Sequence, residues 1–305
     1  MRKIVECVPN FSEGRRPEVI DAIVDALREV PGIRVLDQHA DPNHNRLVVT
    51  LVGEPEATAE AAFRGAQRAV ELINMEEHQG EHPRIGAVDV IPFVPVQWVS
   101  MRDCVSLARQ VGRRIAQELG VPVYLYGEAA TRPERRDLAA VRKGQYEGLK
   151  AEIHLPHRQP DFGEARMHPT AGATAVGARA PLIAFNINLD TSDVTIARKI
   201  ARAIRGSSGG FRDVRALGVM ISDRGIAQVS INVCDYRTAP LHRVFEVVRS
   251  EASRYGVRVL GSEIVGLVPL DALVEAAEYC LRLQGFDRKQ VLERRIWSTL
   301  EGEPT

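Results

Sequence analysis

The chain has 305 residues, 45% of them apolar and 26% charged, an ordinary composition for a globular protein of about two domains. Forty Lys+Arg balance forty Asp+Glu, and aromatic residues make up 5%; this excludes a general nucleic-acid or anionic-membrane binder, which carries a basic excess, and an extended base-stacking platform. Cys7, Cys104, Cys234 and Cys280 are far apart, with no C-x-x-C pair, which excludes a disulfide framework and a zinc knuckle.

Residues 3–8 read as a strand closed by Pro9. They show no long apolar signal-peptide segment, and no run of about 18 apolar residues follows anywhere, so a cytoplasmic protein without a membrane span is expected. Residues 18–30 have helical spacing (Ile20, Ile23, Val24, Leu27) and stop at Pro31-Gly32. Strands are expected at 33–37 and 46–52, joined by a polar turn over 38–45. An Ala-rich helix follows over 55–73. Residues 87–94 form an apolar run interrupted by Asp89. Ser100 is a predicted N-cap for a helix to about Leu119, stopped by Gly120. Residues 121–126 complete the set as a strand.

After Gly127 the periodicity fades for about 50 residues rich in Arg, Glu, Pro and Gly. Unstructured segments of that length are uncommon in compact domains and tend to be functional or disordered. Pattern resumes with a strand at 181–189 and a helix at 193–205 capped by Thr191 or Ser192. A hairpin over 214–221 and 226–234 turns at Gly225. A helix capped by Thr238 covers 240–255, a strand 257–260, a helix 269–283, and Asp287 opens a last amphipathic helix toward Trp297.

Each half has the order β-α-β-β-α-β. The expected fold class is therefore α+β, two ferredoxin-like βαββαβ subdomains; each open sheet needs a cover, and facing each other across a substrate cleft is one solution. The expected subdomains are residues 1–178 and 179–305.

The densest polar cluster runs from Glu77 through His78, Glu81, His82, Pro83 and Arg84 to Asp89. It ends a helix and precedes an apolar strand, where catalytic loops are commonly mounted. An imidazole exchanges a proton near neutral pH, and Glu81, Asp89 or a backbone carbonyl could fix its tautomer. Solvated loop histidines are the alternative. Metal binding by His78-x-x-x-His82 is opposed by Gly80 and Pro83, which disfavour the helix that would bring both rings to one face. A second cluster joins Asp37, His39, Asp41, His44 and Arg46; its carboxylates could hold an imidazole or amine and Arg46 a carboxylate, or it is a polar hairpin turn. No dinucleotide fingerprint, Walker pattern or nucleophile elbow is present.

The opening Val5-Glu6-Cys7-Val8-Pro9-Asn10-Phe11-Ser12-Glu13-Gly14 resembles that of glutamate formimidoyltransferases, the amino-terminal part of formimidoyltransferase-cyclodeaminase. So do Gly80-Glu81-His82-Pro83-Arg84-Ile85-Gly86-Ala87, Val123–Ala130 (VYLYGEAA), Pro160-Asp161-Phe162-Gly163, Gly172-Ala173-Thr174, Leu182-Ile183-Ala184-Phe185-Asn186-Ile187-Asn188, Ala227-Gln228-Val229-Ser230 and Val265-Gly266-Leu267-Val268-Pro269-Leu270. The likeness spans nearly the whole chain in order. The chain stops near residue 305, so a stand-alone transferase is expected.

The resemblance implies transfer of a formimino group from N-formimino-L-glutamate to N5 of tetrahydrofolate in histidine degradation. It implies a homodimer, with a separate cyclodeaminase protein as a candidate partner; the transfer chemistry itself requires no metal. It places the catalytic histidine at His82. Its folate-binding segment falls on Gly163, Glu164, Ala165, Arg166, Met167, His168, Pro169, Thr170, Ala171 and Gly172. Mammalian members carry an acid where this chain has His39, and the run from Glu164 to His168 differs from theirs. The donor has two carboxylates and folate a glutamate tail, so Arg46 and Arg84 are candidate anchors, with Asp37 and His39 as further supporting residues. A formyltransferase on the same scaffold, a non-catalytic folate-binding protein and a metal hydrolase using His78 and His82 are the competing readings.

Overall fold

Period-two burial builds the first sheet. In the computed structural model, which describes residues 2–301, β1 (Ile4–Cys7) buries Val5 and Cys7 completely. The same row continues as β2 (Asn10–Phe11) after Pro9, which has no N–H to give to the ladder. Both segments pair antiparallel with β4 (Arg46–Gly53) on one side and β5 (Val88–Gln97) on the other. Outside β4 lies β3 (Arg34–Asp41). Strand β6 (Val123–Gly127) joins β5 only through β7 (Thr174–Ala178), which is parallel to both.

Helices α1 (Pro17–Arg28), α2 (Pro55–Leu72) and α3 (Met101–Leu119) bury their apolar stripes with this sheet in one core. Ile23 and Leu27 of α1 are fully buried, each worth about 1.5–3 kcal/mol. Ser100 caps α3 in a reciprocal box with Asp103, and Gly120 ends it at φ 67°.

The stretch without periodicity is ordered. It contains a short 3₁₀ turn at Pro133–Arg136, then α4 (Leu138–Val141), α5 (Gln145–Glu152) and β7. Polar contacts fasten it. Arg135 and Asp161 form an ion pair at 2.6 Å with both side chains more than nine-tenths buried, and Asp161 also accepts from the Leu125 amide at 2.9 Å. Such contacts obey no sequence period.

A division after Ala180 separates a second unit with its own core. Its elements are β8 (Ile183–Leu189), α6 (Val194–Ile204), β9 (Val214–Ile221), β10 (Ile226–Val233), α7 (Leu241–Arg254), β11 (Val259–Val265), α8 (Leu270–Leu281) and α9 (Leu292–Glu301). The sheet is antiparallel throughout, in the order β11-β8-β10-β9. Among the described residues the first sheet has seven strands, wider than one βαββαβ unit.

Several local expectations shift. Asp193, not Thr191 or Ser192, caps α6, because its carboxylate reaches the Thr195 amide. Thr238 instead donates to Asp213 Oδ2 at 2.6 Å, and Pro240 stands at the start of α7. Cys7 and Cys104 are buried, whereas Cys280 is exposed on α8. No helix among the described residues is long and apolar enough to cross a membrane.

Candidate functional site

Three segments of the first unit meet at one cleft: the chain after β2, the β3–β4 turn, and the loop before β5. The turn is locked by Asn45, which adopts φ 48° and is buried. Its Oδ1 accepts from the Gly14 amide at 2.9 Å, and its Nδ2 donates to the Gln79 carbonyl at 3.0 Å. Asn tolerates this left-handed backbone better than other side-chain-bearing residues. Gly80 then packs so tightly on the turn that a Cβ there would lie 2.2 Å from the His44 carbonyl oxygen. Ser12 fastens the far end of the loop, donating from Oγ to the Gly86 carbonyl at 2.7 Å.

Gly80→Ala is therefore expected to push the loop off the turn without touching any reacting group. A displacement near 1 Å can cost about 10²-fold in rate. We expect kcat/KM to fall by roughly 10- to 100-fold while far-ultraviolet dichroism stays native; wild-type kinetics in this variant would show that the close approach does not position the loop.

The cleft is lined by Phe11, Ser12, His44, Asn45, Arg46, His78, His82, Arg84 and Asp89, with a free volume of about 10 Å³, room for about one water-sized group. His82 is half-buried, and its ring centroid lies 6.0 Å from that of His44. His82 is pushed down to about 2, first by burial and then by the charges of Arg46, Arg142 and His44. It is a neutral imidazole.

His78 has a different job. Its Nε2 lies 3.0 Å from the Asn45 carbonyl, so that nitrogen is the donor, and Nδ1 accepts from Arg84 Nε at 3.3 Å. Burial lowers its pKa, in keeping with a neutral ring. Both nitrogens are occupied, so His78 offers no lone pair to a metal. No group of three or more His, Cys, Asp or Glu able to hold a metal occurs among the described residues.

Arg84 is buried and already engaged. It donates to both carboxylate oxygens of Glu147, to Gln145 Oε1 and to the His78 carbonyl, which removes it as an open anchor. Arg46 donates from Nε (3.0 Å) and Nη2 to Asn10 Oδ1. Burial, and then Arg142, lowers its pKa to about 10, so it stays charged at neutral pH. Asp89 does not touch a histidine ring in this arrangement: it accepts from the Ile85 amide at 3.0 Å and is paired with Arg142.

Strand β3 runs on through Asp41, so Asp37 and His39 stand in a strand opposite Thr50 and Val48 and not in a loop. Neither lines the cleft, and His39 is exposed. The 163–172 segment is split. Its end lies against the His82 loop: Ala87 donates to the Ala171 carbonyl at 2.8 Å, and Gly172 bridges Gly86. Met167 is buried, and His168 Nδ1 accepts from the Ala171 amide at 3.0 Å. Pro169 and Thr170 are exposed, with the Thr170 carbonyl accepting from Met75 at 2.7 Å. Glu164, Ala165 and Arg166 are exposed, and Gly163 borders a separate cavity of about 230 Å³ with Arg113, Ala116, Gln117 and Phe162.

Arg142 and Glu147 were not singled out as site residues by sequence, and Asn45 stood out only as a member of the polar turn from Asp37 to Arg46. A turn Asn between two strands was the one available signal; the other two come from the stretch without periodicity. The second unit carries its own polar cluster: Gln228 Nε2 donates to Asn188 Oδ1 and Glu263 Oε1, both at 2.9 Å, and Asn186 donates to the same Glu263 oxygen at 3.2 Å.

The family model for the formiminotransferase domain, N-terminal subdomain, matches residues 4–179, and that for the formiminotransferase domain matches residues 184–295. A glutamate formimidoyltransferase of Streptococcus pyogenes is 52% identical over 297 residues, covering 97% of this chain and 99% of the relative. One from Thermoplasma acidophilum is 50% identical, covering 96% and 97%. The formimidoyltransferase-cyclodeaminase of Mus musculus is 48% identical over 92% of this chain but only 53% of its own length.

Proposed function

The chain belongs to the formiminotransferase domain family, and on that premise we propose that the cleft around His82 moves a formimino group from N-formimino-L-glutamate to N5 of tetrahydrofolate. The enzyme is a one-carbon transferase with glutamate formimidoyltransferase activity. N5 attacks the formimino carbon, a new carbon–nitrogen bond forms, and N5 must lose a proton. The bond to the glutamate nitrogen then breaks, and that nitrogen must gain one. His82 accepts the first proton and returns it to the leaving nitrogen, so one group serves both steps. Holding the two substrates side by side supplies much of the remaining acceleration.

The observation that carries this reading is the half-buried imidazole of His82 on a loop pinned from both sides. Folate contact is assigned to the 163–172 segment, whose last residues adjoin that loop. The cleft itself admits only a small group, so the pteridine ring would lie against its mouth.

Turnover of N-formimino-L-glutamate with tetrahydrofolate, followed spectrophotometrically, tests the proposal, and N-formyl-L-glutamate in place of the donor separates formimino from formyl preference. Protein treated with a chelator is expected to keep its full rate, because both nitrogens of His78 are spent on protein partners. Loss of activity restored only by a divalent metal would overturn this mechanism.

A further inference from the structure

We propose that Arg46 is the carboxylate-binding residue of this site: its guanidinium, gripped by the Asn10 amide and left without an anionic partner, takes one carboxylate of the formimino donor, so that donor binding itself completes the charge balance around His82. The proposal rests on the reading of the cleft as a formimidoyl-transfer site.

Three arginines stand around the cleft, and two are committed. Arg84 is bound to Glu147 at 2.7 Å, and Arg142 to Asp89. Arg46 differs. Two of its nitrogens donate to one neutral oxygen, Asn10 Oδ1, and no ion pair to a carboxylate is formed by it among the described residues. The acids close by are spent. Asp41 holds His44 Nδ1 at 3.2 Å and the Asn43 and His44 amides. Glu13 holds Arg16 and the Arg15 and Arg16 amides. A largely desolvated cation without a counter-charge is costly. Its planar fork suits a carboxylate, which would form shorter, charge-assisted bonds than the amide does.

The consequence reaches His82. Burial does most to keep its ring from taking a proton; among the neighbouring groups Arg46 acts most strongly, ahead of Arg142 and His44. Arg142 is already offset by Asp89, and His44 by Asp41. Arg46 feels Asp89 and Asp41 only at a distance and has no carboxylate in direct contact. A carboxylate there offsets the Arg46 charge, one of the influences that disfavour protonation of His82.

The test combines steady-state kinetics with nuclear magnetic resonance of the His82 ring, using N-formimino-L-glutamate as probe. Arg46→Met is expected to raise the donor KM by about 100-fold, in the range for removing one side of a desolvated charge pair, with the tetrahydrofolate KM little changed. In the wild type, saturating donor shifts the His82 ring resonances. In Arg46→Met the ring titrates at higher pH without donor, and donor no longer moves it. Should Arg46→Met fail to fold, Arg46→Lys keeps the charge but loses the fork, and a donor KM raised about tenfold is expected. An unchanged donor KM in either variant, or a wild-type His82 ring indifferent to saturating donor, overturns the proposal. If wild type transfers no formimino group but binds L-glutamate with an affinity that depends on Arg46, the transfer reading fails and the anchor stands. If transfer proceeds with donor KM untouched by Arg46→Met, the anchor fails and the transfer reading stands.

Discussion

Replacing His82 by Asn is expected to lower kcat by roughly 10²- to 10⁴-fold, the usual contribution of a positioned acid–base group. Asn keeps much of the ring's polar surface but has no basic nitrogen to take the N5 proton and return it to the leaving nitrogen. The loop should stay in place, because its fixation comes from Gly80 on the His44 carbonyl, Glu81 on the Asn43 carbonyl and Ser12 on the Gly86 carbonyl, none of which uses the His82 side chain. The melting temperature should therefore change little. His78→Ala is the informative contrast: it removes the ring that joins Asn45 to Arg84, so its loss should appear in stability before it appears in kcat. A His82→Asn enzyme with near-normal kcat at saturating substrates would remove His82 from the proton path.

Asp89→Ala is expected to be the most destabilising single change at the site, by about 3–5 kcal/mol, the cost of stranding one member of a buried ion pair. Asp89 is 2% exposed. It neutralises Arg142 and also receives the Ile85 amide at 3.0 Å, so its removal orphans a buried charge and a buried N–H together. Set against a typical total stability of about 5–15 kcal/mol, that is a large share. Arg142→Met in the same chain should recover part of the loss, because it removes the stranded charge. Urea unfolding of the single and double variants measures both. A single-variant loss below about 1 kcal/mol, or a double variant no better than the single, would show that the pair is not buried in the way described.

The two changes separate two kinds of residue in one cleft. On the proposed reading His82 is presented to a ligand, whereas Asp89 holds the wall that presents it. Asp89 stood out in the sequence as the lone acid of an apolar strand and suggested a partner for an imidazole. In the fold its partner is Arg142, 53 residues away. The acid was visible, but the identity of its partner was not, because Arg142 follows α4 in a stretch with no apolar period.

Most of the architecture was legible from the residues. Alternating burial in β1 and β4, the 3.6-residue stripe of α1, the Ser100 cap and the Gly120 stop are local, repetitive signals, and each element lies where its signal lies. The loop of His82 was likewise marked by its own composition, and the full-length resemblance set its role as an expectation. Residues 128–180 carried no such signal, since short helices and a strand of small residues are held there by buried polar pairs such as Arg135–Asp161. Tertiary structure alone decided which charges meet. It extended β3 through Asp41, leaving His39 on an exposed edge, occupied Arg84 with Glu147, and left Arg46 facing the cleft with only an amide for company. Hydrophobic periodicity is a property of neighbours along the chain, so sequence determines it directly. Charge pairing is a property of neighbours in space, and only the folded chain brings Asn10, Arg46, His82 and Arg142 to one place.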